Sequence, residues 1–443
     1  GHDVVLTLDT ELQRIAEDAL GRAVQRTGAS GGDVLMLDPR TGEILAVASE
    51  RARDGAGVPA FTSPYEPGST LKPLLLATLL QEGKADLSEL VDTERGTMVV
   101  RGRTIRDVHR RDTLSVAEVI QHSSNVGAVK LAQRLTPGLQ YRYLRDFGFG
   151  VPAGIEYPSE SAGRLRKPES WSALSQASLA MGYEVSVTPL QLAAAYAALA
   201  NGGVLLRPHL IREVRSASDG EVVYERQPEP IRRVVSSEVA REVTRVLGSV
   251  VEGGTATRAA LATLPLAGKT GTTRTAAGGG YTDERYEASF VGYTPAEDPR
   301  LVILTRLEDP QGDFYGGLTA APISRATLQA ALAARGVELP GGSGLVATAE
   351  RLRWDRLAGD DAGGSPFVFA ASTPSSARSG AASTDGADDR IVLPDLDGLP
   401  LRTAAARLHA LGLRVELMGK GEILGQDPPP GTSVRPGATV RLR

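Results

Sequence analysis

The chain contains no cysteine. Thiol nucleophiles, thiolate metal sites and disulfides are excluded together, and the composition is compatible with an oxidising compartment. Histidine is sparse, and His2, His109, His122, His209 and His409 show no paired metal-ligand spacing, so no metal and no cofactor are expected. No apolar run reaches the roughly 18 residues of a membrane span; the nearest approach, 190–206, is broken by Asn201-Gly202-Gly203. A formal net charge of -4 lacks the electrostatic footprint of a nucleic-acid binder. Lysine is scarce too: only six of the 49 basic residues are lysine, the rest arginine. Arginine serves wherever charge alone matters, whereas lysine can surrender its proton when a site depresses its pKa. Two of those few lysines, Lys72 and Lys269, fall within the motifs that follow.

With 443 residues and 41% hydrophobic content, the chain is long enough for two or three folding units around at least one large core. Ser69-Thr70-Leu71-Lys72 follows a Pro67-Gly68 turn and opens an apolar run. A serine three residues before a lysine on a helix sets hydroxyl and amine one turn apart on one face, where the amine can take the hydroxyl proton. Ser123-Ser124-Asn125 and Lys269-Thr270-Gly271-Thr272 follow in order. S-x-x-K, S-x-N and K-T-G-T together are the three-part signature of penicillin-recognising active-site serine enzymes. Each is weak alone: S-x-x-K arises by chance, and a Ser-Ser-Asn tripeptide is by default a polar turn. Gly268-Lys269-Thr270 mimics the end of a phosphate-binding loop, but Thr263 occupies the place of the required upstream glycine. Gly148-Phe149-Gly150 lacks dinucleotide-fingerprint spacing and reads as a turn, and His109 is assigned no role.

The pattern along the chain predicts a strand at Val4–Asp9 and a helix carrying Leu12, Ile15, Ala16, Ala19 and Leu20 on one face, with Thr10 to Gln13 as its capping box. A hairpin spans residues 33–49, and a helix over 71–81 buries the serine–lysine turn. Two helices lie within 173–199, broken at Thr188-Pro189; strands follow at 288–293 and 301–307, and a helix at 324–335 closes the unit. The class is mixed α+β, one antiparallel sheet flanked by helices. Gly278-Gly279-Gly280 reads as a loop beside the cleft. Residues 363–389 are too poor in apolar side chains to form a core and read as linker, within a domain scheme of 3–340, linker 341–389 and a compact unit at 390–443. That last unit reads strand, helix over 401–411, strand over 413–417, turn at Gln426 to Gly431, and strand over 438–442.

Over residues 3–335 the sequence resembles the transpeptidase domain of class B penicillin-binding proteins, which crosslink peptidoglycan. The likeness rests on Tyr65-Glu66-Pro67-Gly68-Ser69-Thr70-Leu71-Lys72, Ser123-Ser124-Asn125-Val126-Gly127, Met181-Gly182-Tyr183, Thr188-Pro189-Leu190-Gln191, Gly268 to Thr272, Ala288 to Gly292 and Phe314 to Gly317 in one order. Residues 391–443 resemble a PASTA module through Val392-Leu393-Pro394-Asp395-Leu396 and the Gln426 to Gly431 block. The resemblance implies the penicillin-binding-protein/serine β-lactamase fold plus a small α+β PASTA domain. It implies Ser69 as nucleophile, neutral Lys72 as its base, Ser123 as proton relay, Asn125 holding the substrate amide and Lys269 as a positive charge. Thr270 and Thr272 would bind the substrate carboxylate, and Gly271 would let the edge strand approach closely. Backbone N–H groups of Ser69 and Thr272 would form the oxyanion hole. The implied activity is D,D-transpeptidation of peptidoglycan stem peptides through a Ser69 acyl-enzyme, blocked by β-lactams, in septal wall synthesis. The implied partners are a membrane glycosyltransferase and divisome proteins. The implied place is the periplasmic face of the inner membrane, held by an N-terminal anchor ahead of Gly1-His2, where an upstream segment reads as removed. The rivals are a D,D-carboxypeptidase or β-lactamase-like hydrolase, which shares every motif, and a non-catalytic penicillin-binding sensor.

Overall fold

The structure is a computed structural model of the full chain. It describes residues 1–51, 57–277, 280–334, 391–399, 404, 407–408, 411, 413–417, 423–435 and 438–442. The linker expected at 341–389, most of the helix expected over 401–411 and the Gly278-Gly279 part of the expected loop lie outside those residues. The chain divides into two compact units, Gly1–Ala331 and Leu332–Arg443.

The first unit is organised around a five-stranded antiparallel sheet. In chain order its strands are β1 (Gly31–Leu37), β2 (Ile44–Arg51), β3 (Ala267–Ala277), β4 (Gly280–Thr294) and β5 (Leu301–Glu308). Their spatial order is β3-β4-β5-β1-β2, which leaves β3 at an edge. The β1–β2 pair is the hairpin expected at 33–49, and β1 is buried along its whole length because both faces are covered. On one side lies α1 (Thr10–Thr27), which buries Leu12, Ile15, Ala16, Ala19, Leu20 and Ala23. Its N-cap is Asp9, not the predicted Thr10: the Asp9 carboxylate accepts from the N–H groups of Glu11 and Leu12. Gln13 is drawn off to the sheet, where its side-chain amide exchanges two 2.8 Å hydrogen bonds with the Val47 backbone. The predicted Val4–Asp9 strand runs instead over His2–Leu6 and pairs with Ile211–Ser216.

Four further helices position the site: α2 (Lys72–Gln81), α3 (Asn125–Ala132), α4 (Pro189–Ala200) and α5 (Ser237–Gly253). Every residue of α4 is buried, and it packs on β1, β4 and β5. The predicted break at Thr188-Pro189 is a capping box: Thr188 accepts from Gln191 N, the Gln191 side chain accepts from Thr188 N, and Pro189 takes the first helical position, where no N–H is needed. The other helix expected in that stretch covers Ser175–Ala180. A last helix, α6 (Ala320–Ala334), closes the unit near the predicted position and docks on β5 through a buried Ser324–Thr305 hydroxyl pair at 2.8 Å.

A buried ion network, unannounced in the sequence, ties the sheet together. Arg306 of β5 pairs with Asp33, Glu287 and Glu308, and Arg51 with Asp33 and Glu308. The Arg306 guanidinium also lies 4.3 Å from the ring centre of Tyr65.

The second unit carries strands at Ile391–Val392, Arg414–Leu417, Gln426–Asp427, Ser433–Val434 and Thr439–Leu442, with Arg414–Leu417 parallel to Thr439–Leu442. Its small core joins Leu393, Leu396, Ala404, Leu408, Leu413, Ile423, Val440 and Leu442.

Candidate active site

Ser69 sits half-buried in a short 3-10 turn, Gly68–Leu71, that runs directly into α2, so that Lys72 donates its backbone N–H to Ser69 O. The turn is pinned on three sides. Tyr196 of α4 donates its hydroxyl to Thr70 O at 2.7 Å, Thr70 Oγ1 donates to Pro67 O at 2.7 Å, and Gly68 N donates to Gly182 O at 3.1 Å. Gly68 and Gly182 both have positive φ (58° and 81°), and a Cβ at residue 182 would strike the Gly68 backbone.

Lys72 is fully buried, and its Nζ reaches Ser123 O at 2.7 Å, Asn125 Oδ1 at 2.8 Å and Ser123 Oγ at 3.3 Å. Burial pulls its pKa down to about 7, against the opposing pull of the Asp107 carboxylate. A neutral amine has two N–H groups and a lone pair. The carbonyl and amide oxygens can take the two N–H groups, leaving the lone pair for a hydroxyl proton. Ser123 holds a backbone φ of 58°, the left-handed region that non-glycine residues rarely occupy, and this aims both its carbonyl and its hydroxyl at Lys72. Ser124 caps α3 by accepting from Gly127 N at 2.9 Å.

The K-T-G-T segment lies on the edge strand β3, not on the loop-to-helix turn of a phosphate-binding motif. Alternation puts Lys269, Gly271 and Thr273 on one face and Thr270 and Thr272 on the other. The first face meets the serine turn: a Cβ at Gly271 would lie 2.8 Å from Pro67 O and 3.0 Å from Thr70 Cγ2, and Thr273 Oγ1 donates to Glu66 O at 3.0 Å. On the second face the Thr270 and Thr255 hydroxyls share a hydrogen bond at 2.8 Å, and Thr272 Oγ1 accepts from Gly316 N at 2.9 Å, leaving its own O–H free to donate. Lys269 Nζ donates to Thr270 O at 3.2 Å and reaches Thr255 Oγ1 at 3.5 Å. Burial first, and then the facing charge of Lys72, push its pKa well below the usual lysine range. Both oppose the positive charge that the resemblance implies for Lys269.

Ser69, Lys72, Ser123, Asn125 and the 269–272 strand, up to 203 residues apart in the sequence, therefore converge where α2, α3 and β3 meet. Sequence reasoning missed three supporting residues. Asp107 accepts from Asn125 N at 2.5 Å, Val126 N at 2.9 Å and Ser124 Oγ at 2.6 Å. Thr255 touches both Lys269 and Thr270, and Tyr196 anchors the serine turn from inside the core. None has a fixed spacing to a motif. The Gly253-Gly254 pair before Thr255 is the one local signal that marked a turn there.

Known proteins are similar to this chain in sequence and fold. Residues 32–329 match the family model described as penicillin binding protein transpeptidase domain, and residues 391–443 match the PASTA domain. A probable peptidoglycan D,D-transpeptidase PbpC of Pseudomonas aeruginosa is 36% identical over 332 residues, 72% of this chain and 57% of that protein. Stage V sporulation protein D of Bacillus subtilis is 30% identical over 458 residues, 100% of this chain and 65% of that one. The crystal structure of penicillin-binding protein 3 from Mycobacterium tuberculosis in complex with aztreonam superposes with a TM-score of 0.71 at 33% identity, covering 76% of this chain and 80% of that one. The chain spans somewhat over half the length of the first curated relatives it matches. Family model, relatives and fold coincide over the residues that build the cleft, and the chain belongs to the transpeptidase family of the class B penicillin-binding proteins, with a PASTA domain following.

Proposed function

We propose that the protein is a peptidoglycan D,D-transpeptidase acting through an acyl-enzyme on Ser69. The observation that carries this reading is the buried Lys72, fully enclosed and hydrogen-bonded to Ser123 and Asn125 one helical turn from Ser69. Ser69 Oγ attacks the carbonyl carbon of the penultimate D-Ala as its proton passes to Lys72. The tetrahedral oxyanion is held by the backbone N–H groups of Ser69 and Thr272. Collapse breaks the C–N bond, and the leaving D-Ala amine takes its proton from Lys72 by way of Ser123. Asn125 orients the scissile amide. An amine of a second stem peptide then attacks the ester carbonyl and regenerates Ser69. The substrate carboxylate is bound by the hydroxyls of Thr270 and Thr272, and its negative charge favours the protonated form of Lys269.

A β-lactam follows the same first step and stalls as the ester; the aztreonam complex of the mycobacterial relative supports including that class. The role at the septum, the glycosyltransferase and divisome partners and a periplasmic position behind a membrane anchor belong to the same reading. Among the described residues no helix is long and apolar enough to cross a membrane. Intact-protein mass spectrometry after benzylpenicillin is expected to give one adduct, located on Ser69 by peptide mapping and absent from Ser69→Ala. Turnover of a peptide thioester with an added D-amino acid acceptor separates the transferase from the sensor. Release of free acid in place of the exchanged product identifies the hydrolase rival instead.

A further inference from the structure

Asp107 lies outside all three motifs, after the hairpin that ends at Arg103–Arg106, yet each oxygen of its carboxylate is engaged on the S-x-N turn. Its Oδ1 takes two successive N–H groups at the start of α3, Asn125 and Val126, and its Oδ2 takes the Ser124 hydroxyl. The residue before it joins the clamp: Arg106 O accepts from Asn125 Nδ2 at 2.9 Å. Asn125 is thus gripped by main chain and side chain, which leaves its Oδ1 directed at Lys72. The clamp closes on the residues immediately after Ser123, whose left-handed backbone is strained and persists only where its surroundings impose it. Two titratable groups face Lys72 across this site, Lys269 from β3 and Asp107 from the hairpin end, and Asp107 is the one that favours its charged form.

We propose that Asp107 is a positioning residue for the reaction, holding the Ser123–Asn125 turn against Lys72 and serving as the counter-charge for that buried lysine. A carboxylate that merely capped α3 would stabilise the helix without affecting proton transfer. One that is also the counter-charge sets where Lys72 loses its proton. Without it, burial acts unopposed, and Lys72 deprotonates at lower pH.

The proposal rests on the acyl-enzyme reading and is tested in the full chain through the second-order rate of Ser69 acylation by benzylpenicillin across pH 5.5 to 9.5. In wild type the rate rises with pH as Lys72 becomes a free base. Asp107→Asn keeps the shape and an acceptor oxygen but removes the charge. Its rising limb is expected to move to lower pH by roughly half a unit to one unit, with a plateau reduced about tenfold. A limb at the wild-type pH, whatever the plateau, overturns the counter-charge. Ser124→Ala keeps the charge and severs one arm of the clamp. It is expected to leave the limb in place and lower the plateau severalfold, and a wild-type plateau there overturns the positioning role, even where Asp107→Asn does not fold. A wild type that forms no Ser69 adduct overturns the acyl-enzyme reading itself, an outcome separate from either variant result.

Discussion

At the scale of single residues the site is organised around two lysines that the fold has removed from water. Lysine differs from arginine here in one property, the ability to lose its proton near neutrality. Lys72→Arg, which keeps charge and length, is therefore expected to acylate with benzylpenicillin nearly as poorly as Lys72→Ala. Retention of a rate within about tenfold of wild type, about 1.4 kcal/mol of barrier, would show that Lys72 is not the base. The same burial has a thermodynamic signature. The folded Lys72 has a pKa of about 7 against an ordinary lysine value of 10.5, so between these values the unfolded chain binds the extra proton and stability rises with pH. The wild-type thermal midpoint is expected to gain on that of Lys72→Met as pH goes from 7 to 10, and parallel curves would refute the shift. Ser123 at positive φ belongs to the same account, strain retained where function uses it.

Among the elements, the edge strand β3 and the serine turn approach more closely than side chains normally allow, and glycine makes that approach possible. Gly271→Ala would press a methyl against Pro67 O, and Gly182→Ala would press one against Gly68 while also forcing alanine to a φ of 81°. Both are expected to cut acylation by at least tenfold, with Gly182→Ala the more severe and also less stable by about 1–3 kcal/mol. Wild-type kinetics in Gly182→Ala would mean that the turn shifts without consequence. The sheet behind this contact is held by the Arg306 network. Burial raises the Glu287 carboxyl pKa, with Arg306 as its partner, and Asp33 is wholly enclosed beside the same guanidinium. Arg306→Met leaves those carboxylates buried without their cation and is expected to lower stability by about 3–5 kcal/mol, read as a loss of thermal midpoint.

For the molecule as a whole, the chemistry belongs to the first unit. Every motif residue lies within Gly1–Ala331, and the PASTA unit has its own core, with eight buried apolar residues among the described ones. Truncation after residue 340 is expected to leave benzylpenicillin acylation within a factor of about two, a barrier change of about 0.4 kcal/mol. A marked fall in rate, or one cooperative transition shifted down by several degrees, would show the two units coupled.

Much of this architecture is legible in the chain as local pattern. The β1–β2 hairpin, the helix behind Ser69, the Thr188-Pro189 start of α4 and the order S-x-x-K, S-x-N, K-T-G-T all depend on residues a few positions apart, where periodicity, caps and turns act. The scarcity of lysine singles out Lys72 and Lys269 from composition alone. The rest depends on distance in space. The Asp9 cap in place of Thr10 is decided by the pull of Val47 on Gln13, from 34 residues away. Asp107, Thr255 and Tyr196 reach the site from 18, 15 and 126 positions along the chain from their partners. The downward pKa shifts of the two lysines come first from desolvation, a property of the assembled cleft. Residue order names the groups able to react, because side-chain chemistry and local spacing are fixed along the chain. Which of them face water, which face each other, and so which can lose a proton, follows from packing between distant segments.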